Sequence, residues 1–441
     1  MRFPNHTGDT TRAPALRRRT LLGAAALGAA SVPLAACGSD SGSGRLRILN
    51  SMLPEPARAL LDDYAREFED ANEGVQVEIT YVPWENHRTT ILSALSAGNL
   101  PDIVHSGSAQ GAVEFSQSGA FLDASELFDS AFLDRFVPGA FDEIGHNGIP
   151  LALSPETGIW YFKDAFEEAG LTPPPVDQAW AWEEFTDAAV QLTQGDRWGF
   201  IERGEAGLGM QKALIPYAWS YGTDFLVPEG DDWVSGIGTA EMEQAVQTYV
   251  DLVRVHQVRP ESYLSWGHAE GQRAWADRTT AMYSSGMWWN SDVTSNTDDV
   301  FGEDYDVMLF PTDDPDNRKV YVSYDYFHIT RDAADPELAA DFLTFLYEKE
   351  RLVELATLNY HNPPMIEEAL ADERYSPDEY PIWGSRYSQW LDLIQPLPTH
   401  IDYGKVSVDM AVPVIQGLVQ SGDEVGPALA ELDEQVNAEI A

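Results

Sequence analysis

Residues 46–108 read LRILNSMLPEPARALLDDYAREFEDANEGVQVEITYVPWENHRTTILSALSAGNLPDIVHSGS. Leu46-Arg47-Ile48-Leu49 has the length and branching of a short buried strand. Pro56 then opens a helix whose apolar positions, Ala57, Leu60, Leu61, Tyr64 and Phe68, fall at i, i+3, i+4 and i+7 spacing. Val75, Val77, Ile79 and Tyr81 alternate with polar residues, as a strand with one covered face does. A second helix carries Ile91, Leu92 and Leu95, ends near Gly98, and leads into a third strand at Asp102-Ile103-Val104. Strand, helix, strand, helix, strand is the order of an α/β fold built on a mostly parallel sheet.

The same mixture continues to the C-terminus. Leu338, Phe342, Phe345 and Leu346 share one helix face, and Val425, Leu429, Leu432, Val436 and Ile440 share another. At 441 residues the chain is long enough for two lobes. Its 72 acidic residues against 27 basic ones give a net charge of -45, which repels nucleic-acid phosphates and anionic lipid; nucleic acid is not an expected partner. Only five of the basic residues are lysines: Lys163, Lys212, Lys319, Lys349 and Lys405. A GC-rich genome would favour Arg codons in this way, but it does not account for the excess of Asp and Glu. A salt-adapted or acid-surfaced extracellular setting, where screening lets a dense carboxylate surface stay folded, is the expectation.

The first forty residues read as an address. Residues 1–36 hold five Arg and one Asp, which leaves -49 for the remainder. After Arg17-Arg18-Arg19, the apolar stretch Leu21 to Ala36 is 16 residues long, short of the about 20 needed to span a bilayer. A signal peptide over 1–36 is therefore expected. Arg18-Arg19-Thr20-Leu21-Leu22 looks like a twin-arginine export motif, with the general secretion route as the alternative. Leu34-Ala35-Ala36-Cys37 looks like a lipobox, and it holds the chain's single cysteine. Cys37 is accordingly the expected lipidation site, with residues 37–44 as a flexible tether and the cell membrane's extracytoplasmic face as the location. One cysteine rules out an intrachain disulfide framework.

The chain contains no G-x-S-x-G, H-E-x-x-H, Walker loop or G-x-G-x-x-G motif. What it does contain is an ordered series of blocks. They are the strand–Trp–helix–A-G-x-x-P-D run of 77–108, with Trp84 and Pro101-Asp102; GIPLALSPETGIWYFKDAFEEAGL at 148–171; Pro173-Pro174 with Trp182-Glu183-Glu184-Phe185; Ala281-Met282-Tyr283-Ser284-Ser285-Gly286-Met287-Trp288; and Asn362-Pro363-Pro364. In this order they resemble the family 1 extracellular solute-binding proteins, the sugar-binding lipoproteins of ATP-binding cassette importers, over roughly 45–441. Phe162 stands where the family usually has Asn.

The resemblance implies a two-lobed periplasmic-binding-protein-like α/β fold with a ligand cleft between lobes. By similarity, lobe one takes 45–152 and 325–360, and lobe two takes 153–324 and 361–441. It implies a monomeric receptor without cofactor, metal or catalytic residues, which captures a sugar or oligosaccharide and presents it to a membrane permease by closing. A secreted carbohydrate-cleaving hydrolase and a receptor for a non-sugar solute are the alternatives.

A sugar needs an aromatic face for its C–H surface and polar groups for its hydroxyls. Trp288, at the family's G-x-W position, is the first candidate for that face and Trp289 the second. If the two stand on a strand, only one of them reaches the cleft. Loops at strand ends supply the remaining candidates: Glu55 after the first strand, Ser106 and Ser108 after the third, Glu156 and Thr157 at the first crossing, Trp219, and Tyr324 and Asp325 at a later crossing. Trp84, Trp160 and Trp182 match structural positions and are expected in the core.

Overall fold

Two β-sheets with separate helical covers organise the chain in a computed structural model. It describes residues 44–50, 53–83, 86–107, 112–230 and 232–441. The expected signal peptide, Cys37, nearly all of the tether, Trp84 and Ser108 lie outside the described residues.

The first sheet contains β1 (Arg45–Asn50), β2 (Gln76–Tyr81), β3 (Ile103–Gly107), β4 (Ile149–Pro155), β11 (Val320–Ile329) and β12 (Ile394–Gln395), in the order β12-β11-β3-β1-β2, with β4 also paired to β11. The second contains β5 (Ile159–Phe162), β6 (Trp198–Ile201), β9 (Thr280–Ser284) and β10 (Tyr305–Met308), in the order β10-β5-β9-β6. A hairpin of β7 (Leu226–Glu229) and β8 (Asp232–Ser235) stands apart. The three strands read from 46–108 pair in parallel, with Ile48 opposite both Ile79 and Ile103. The sheets as a whole are mixed rather than mostly parallel. β11 runs antiparallel to both β3 and β4, and β5 runs antiparallel to β9 and β10. β11 enters from the far end of the chain, so no local strand–helix–strand unit sets its direction.

The sequence periodicities account for the packing. In the helix Glu55–Ala71, Ala57, Leu61, Tyr64 and Phe68 are buried and Leu60 is half-buried. The Phe68 ring meets Phe342 and Phe345 of the helix Pro336–Leu346 at centroid distances of 5.2 and 5.4 Å. Each such buried ring contributes about 1.5–3 kcal/mol through the apolar area it removes from water. The helix Lys163–Ala169 stops at Gly170, whose φ of 69° is the left-handed conformation that a side chain resists. Asp102 braces the first sheet: one carboxylate oxygen accepts from Arg47 N at 2.7 Å and the other from Ala334 N at 3.0 Å. Trp160 and Trp182 are core residues, and their indole N–H groups donate to Ser285 O and Ser220 Oγ.

The chain passes between the sheets directly after β4, through Glu156-Thr157-Gly158, and again between β10 and β11. Strand ends from both sheets are therefore brought to one place.

Candidate functional site

A cavity of about 200 Å³ opens where these passages meet. From the first sheet's side it is lined by Leu53, Pro54, Arg58, Ser154, Asn359, Tyr360 and Asn362, and from the second sheet's side by Arg203, Lys212, His268 and Trp288. Glu156 and Asp325 stand at the passages themselves.

Trp288 reaches the cavity because of the two residues before it. A Cβ on Gly286 would lie 2.7 Å from Pro155 O and 2.5 Å from the indole nitrogen of Trp288, so only glycine lets the chain press against β4 there. Met287 N then donates to Pro155 O at 2.8 Å, and Trp288 enters the helix Trp289–Asn296 with φ -56° and ψ -21°. The two tryptophans do face different ways, but through a helical turn rather than strand alternation. Trp288 is half-buried on the cavity wall. Trp289 is 1% exposed and stacked on Tyr283 at 4.3 Å.

Glu156 is fixed from two sides. Its Oε2 accepts the Trp288 indole N–H at 2.9 Å, and its Oε1 faces Lys212 Nζ at 3.0 Å. Lys212 is the one charged residue of the helix Leu208–Ser220. Arg203 is held by Glu205, with Nε donating at 2.9 Å. Asp325 accepts from Asn359 Nδ2 at 2.9 Å, and burial pushes its carboxyl up to about 7.

Opposite Trp288, two successive residues without glycine's freedom adopt left-handed backbone: Tyr360 at φ 56° and His361 at φ 57°. His361 is anchored, stacked on Tyr380 at 3.6 Å with its Nε2 3.1 Å from Arg374 O. That anchor turns Tyr360 toward the cavity, where its ring meets Trp288 at 6.4 Å and 64°. Strained backbone of this kind persists where surrounding packing over-determines it, and it concentrates at ligand sites. Asn362, two residues on, is 3% exposed, and its Oδ1 has no hydrogen-bond partner among the described residues.

Of the ten ligand candidates read from the sequence, the cavity wall contains Trp288, Glu156 and Asp325. Ser108 is outside the described residues. The other six are not on the wall, for identifiable reasons. Glu55 is exposed on the first turn of its helix, while Arg58, one turn on, faces the cavity. Ser106 is buried in β3, with Oγ 2.7 Å from His328 Nε2. Thr157 is 2% exposed and its Oγ1 accepts from Tyr321 N. Trp219 is 5% exposed and its indole donates to Asp224 at 2.5 Å. Trp289 is core. Tyr324 packs with Tyr326 at 6.0 Å on the face of β11 opposite Asp325.

Sequence reading missed Arg58, Arg203, Lys212, His268, Asn359 and Tyr360. Lys212 carried a signal: one of five lysines, set in the apolar run Ala213-Leu214-Ile215. The others sit on separate elements that only the fold brings together.

The cavity can stack a ring, donate hydrogen bonds from two arginines, a lysine and two amides, and accept them at two carboxylates. Among the described residues no group of three His, Cys, Asp or Glu is arranged to hold a metal ion.

The family model of bacterial extracellular solute-binding proteins matches residues 53–351. A Brucella abortus protein named as a binding protein is 23% identical over 330 residues, covering 73% of this chain and 76% of its own. Two solved structures share the fold at 18% identity and a TM-score of 0.76: the maltose-bound MalE3 of T. maritima, and a solute-binding protein from Thermotoga lettingae bound with α-D-tagatose. Each match covers 90% of this chain and all of the other.

Proposed function

The chain belongs to the bacterial extracellular solute-binding protein family, and from that premise we propose that it captures a sugar and delivers it to an ATP-binding cassette importer by closing its two lobes on it. The observation that carries this reading is the contact between Trp288 and Tyr360 on the wall of a small cavity rimmed by charged and amide groups. Aromatic faces receive the C–H surface of a sugar ring, and the rim satisfies its hydroxyls. The volume lies below the roughly 300–1,000 Å³ of drug-sized sites, which fits a single ring or a small saccharide.

The lobes, 45–152 with 325–360 and 153–324 with 361–441, divide inside β4 and β11, a few residues from the passages at Glu156–Gly158 and between β10 and β11. Arg58, Asn359 and Tyr360 then belong to one lobe, and Arg203, Lys212 and Trp288 to the other. A ligand touching both sets has higher affinity for the closed form, and that difference alone drives closure. The protein performs no chemistry of its own, acts as a monomer and needs no cofactor. It is exported by a twin-arginine or general secretion signal and anchored through lipid on Cys37. Cys37→Ser should release it from membranes or leave it unprocessed; a correctly cleaved, membrane-bound mutant would contradict the anchor.

A thermal-shift screen against mono- and disaccharides tests the receptor reading. A bound sugar raises the melting temperature by mass action, by about 2.7 kcal/mol of stability at one hundred times Kd. A screen in which only peptides or polyamines shift the protein would replace sugar with another solute.

A further inference from the structure

Basic residues are outnumbered 27 to 72 in the chain, yet on the cavity wall the balance reverses. Arg58, Arg203 and Lys212 face Glu156 and Asp325. We infer that the ligand is an acidic sugar, a uronic or aldonic acid, whose carboxylate is held by Arg58 at the N-terminal end of the helix Glu55–Ala71. The inference rests on the sugar-receptor reading and narrows it.

The cations differ in how the protein already answers them. Lys212 faces Glu156, and Arg203 is held by Glu205. Arg58 has no such partner. Its Nε donates to Leu53 O at 2.7 Å and its guanidinium lies over the Tyr81 ring at 5.3 Å, but no carboxylate of the described residues comes within ion-pair distance. Its terminal nitrogens are cationic donors on the cavity wall that a ligand anion would match. The same turn adds to the field. Leu53 and Pro54 line the cavity beside Arg58, and Pro54, at the N-cap, has no side-chain acceptor to cap the helix. The positive end of a 17-residue helix thus opens on the same space. Glu55, the acid of that turn, is exposed and off the wall.

The two wall carboxylates do little to cancel this. Both oxygens of Glu156 are engaged, by Trp288 and Lys212. Asp325 holds its proton up to about pH 7, because burial disfavours its charge. A second observation supplies the rest of the ligand. The Trp288 and Tyr360 rings share that wall with Asn359 and Asn362, an aromatic and amide lining that suits C–H surface and hydroxyls, so the anion comes on a polyol body. The overall charge of -45 opposes an anion at long range, but at physiological ionic strength that field fades beyond about 8 Å, while contacts inside the cavity are screened much less.

The test is a set of paired calorimetric titrations of the purified protein at fixed ionic strength: galacturonate against galactose, glucuronate against glucose, and gluconate against sorbitol. The acid of at least one pair should bind ~10- to 100-fold tighter, the range of one charge-assisted hydrogen-bonded pair. Arg58→Gln should collapse that ratio, and Arg58→Lys should keep most of it. Neutral members binding as tightly as their acids overturns the inference and leaves the sugar-receptor reading standing. A ratio that survives Arg58→Gln also overturns it, since another group then holds the anion. If no sugar of either kind binds, both readings fall.

Discussion

Asp325 shows what one buried carboxyl does to this protein. Its ordinary value of 3.8 rises to about 7, first through burial and then through Glu156, against the pull of Asn359 and Lys212. A raised acid binds its proton more tightly in the folded chain than in the unfolded one. Its contribution to stability is therefore fully present below pH ~4 and is lost as pH climbs toward 7. Asp325→Asn, which mimics the protonated form, should gain melting temperature relative to wild type between pH 4 and pH 7; a difference that stays constant over that range would contradict the assignment. Three cavity residues were legible in the sequence, Trp288 by its Gly-x-Trp context and Glu156 and Asp325 by their place at crossings. Arg58 was not, although the helix that carries it was read correctly. Periodicity marks a helix's buried face, and a polar residue on the edge of that face looks like any other solvated one.

Elements with a strong amphipathic stripe were the easiest to read. The helix Val425–Ile440 buries Val425, Leu429, Leu432 and Val436, the residues its 3.6-residue period selects. The β7–β8 hairpin and the π-helical turn at Lys405–Ala411 were not read, because neither shows a period that distinguishes it from loop. The direction of β11 was also hidden, since it depends on partners far away in sequence. Among the connections, the turn at Gly286 has the sharpest consequence. Gly286→Ala forces a Cβ against Pro155 O and the Trp288 ring, so it should lower stability by about 1–3 kcal/mol and weaken ligand binding together. Gly417, in the helix Val412–Ser421, has open space where its Cβ would go. Gly417→Ala should hold or raise the melting temperature, by the ~1 kcal/mol helix preference of alanine. Equal losses in both variants would mean that close packing at Gly286 is not what holds the turn.

For the whole molecule, charge and cleft are the two governing features. With 72 acidic residues, self-repulsion destabilises the folded state at low ionic strength and is screened as salt rises. The melting temperature should climb from low to molar sodium chloride; a flat curve would contradict salt adaptation as the reason for the acidity. The cleft is the functional claim, and titration of a cognate sugar into wild type, Trp288→Ala and Trp289→Ala tests it most directly. Stacking a sugar on the indole removes roughly 100 Å² of apolar area from water, worth about 2.5 kcal/mol at 25 cal/mol/Å². That corresponds to ~70-fold in affinity. Trp288→Ala should lose affinity by about that factor while keeping a near-wild-type melting temperature. Trp289→Ala should lose about 3–5 kcal/mol of stability, because it empties a core site. An unchanged dissociation constant in a folded Trp288→Ala protein would contradict the account.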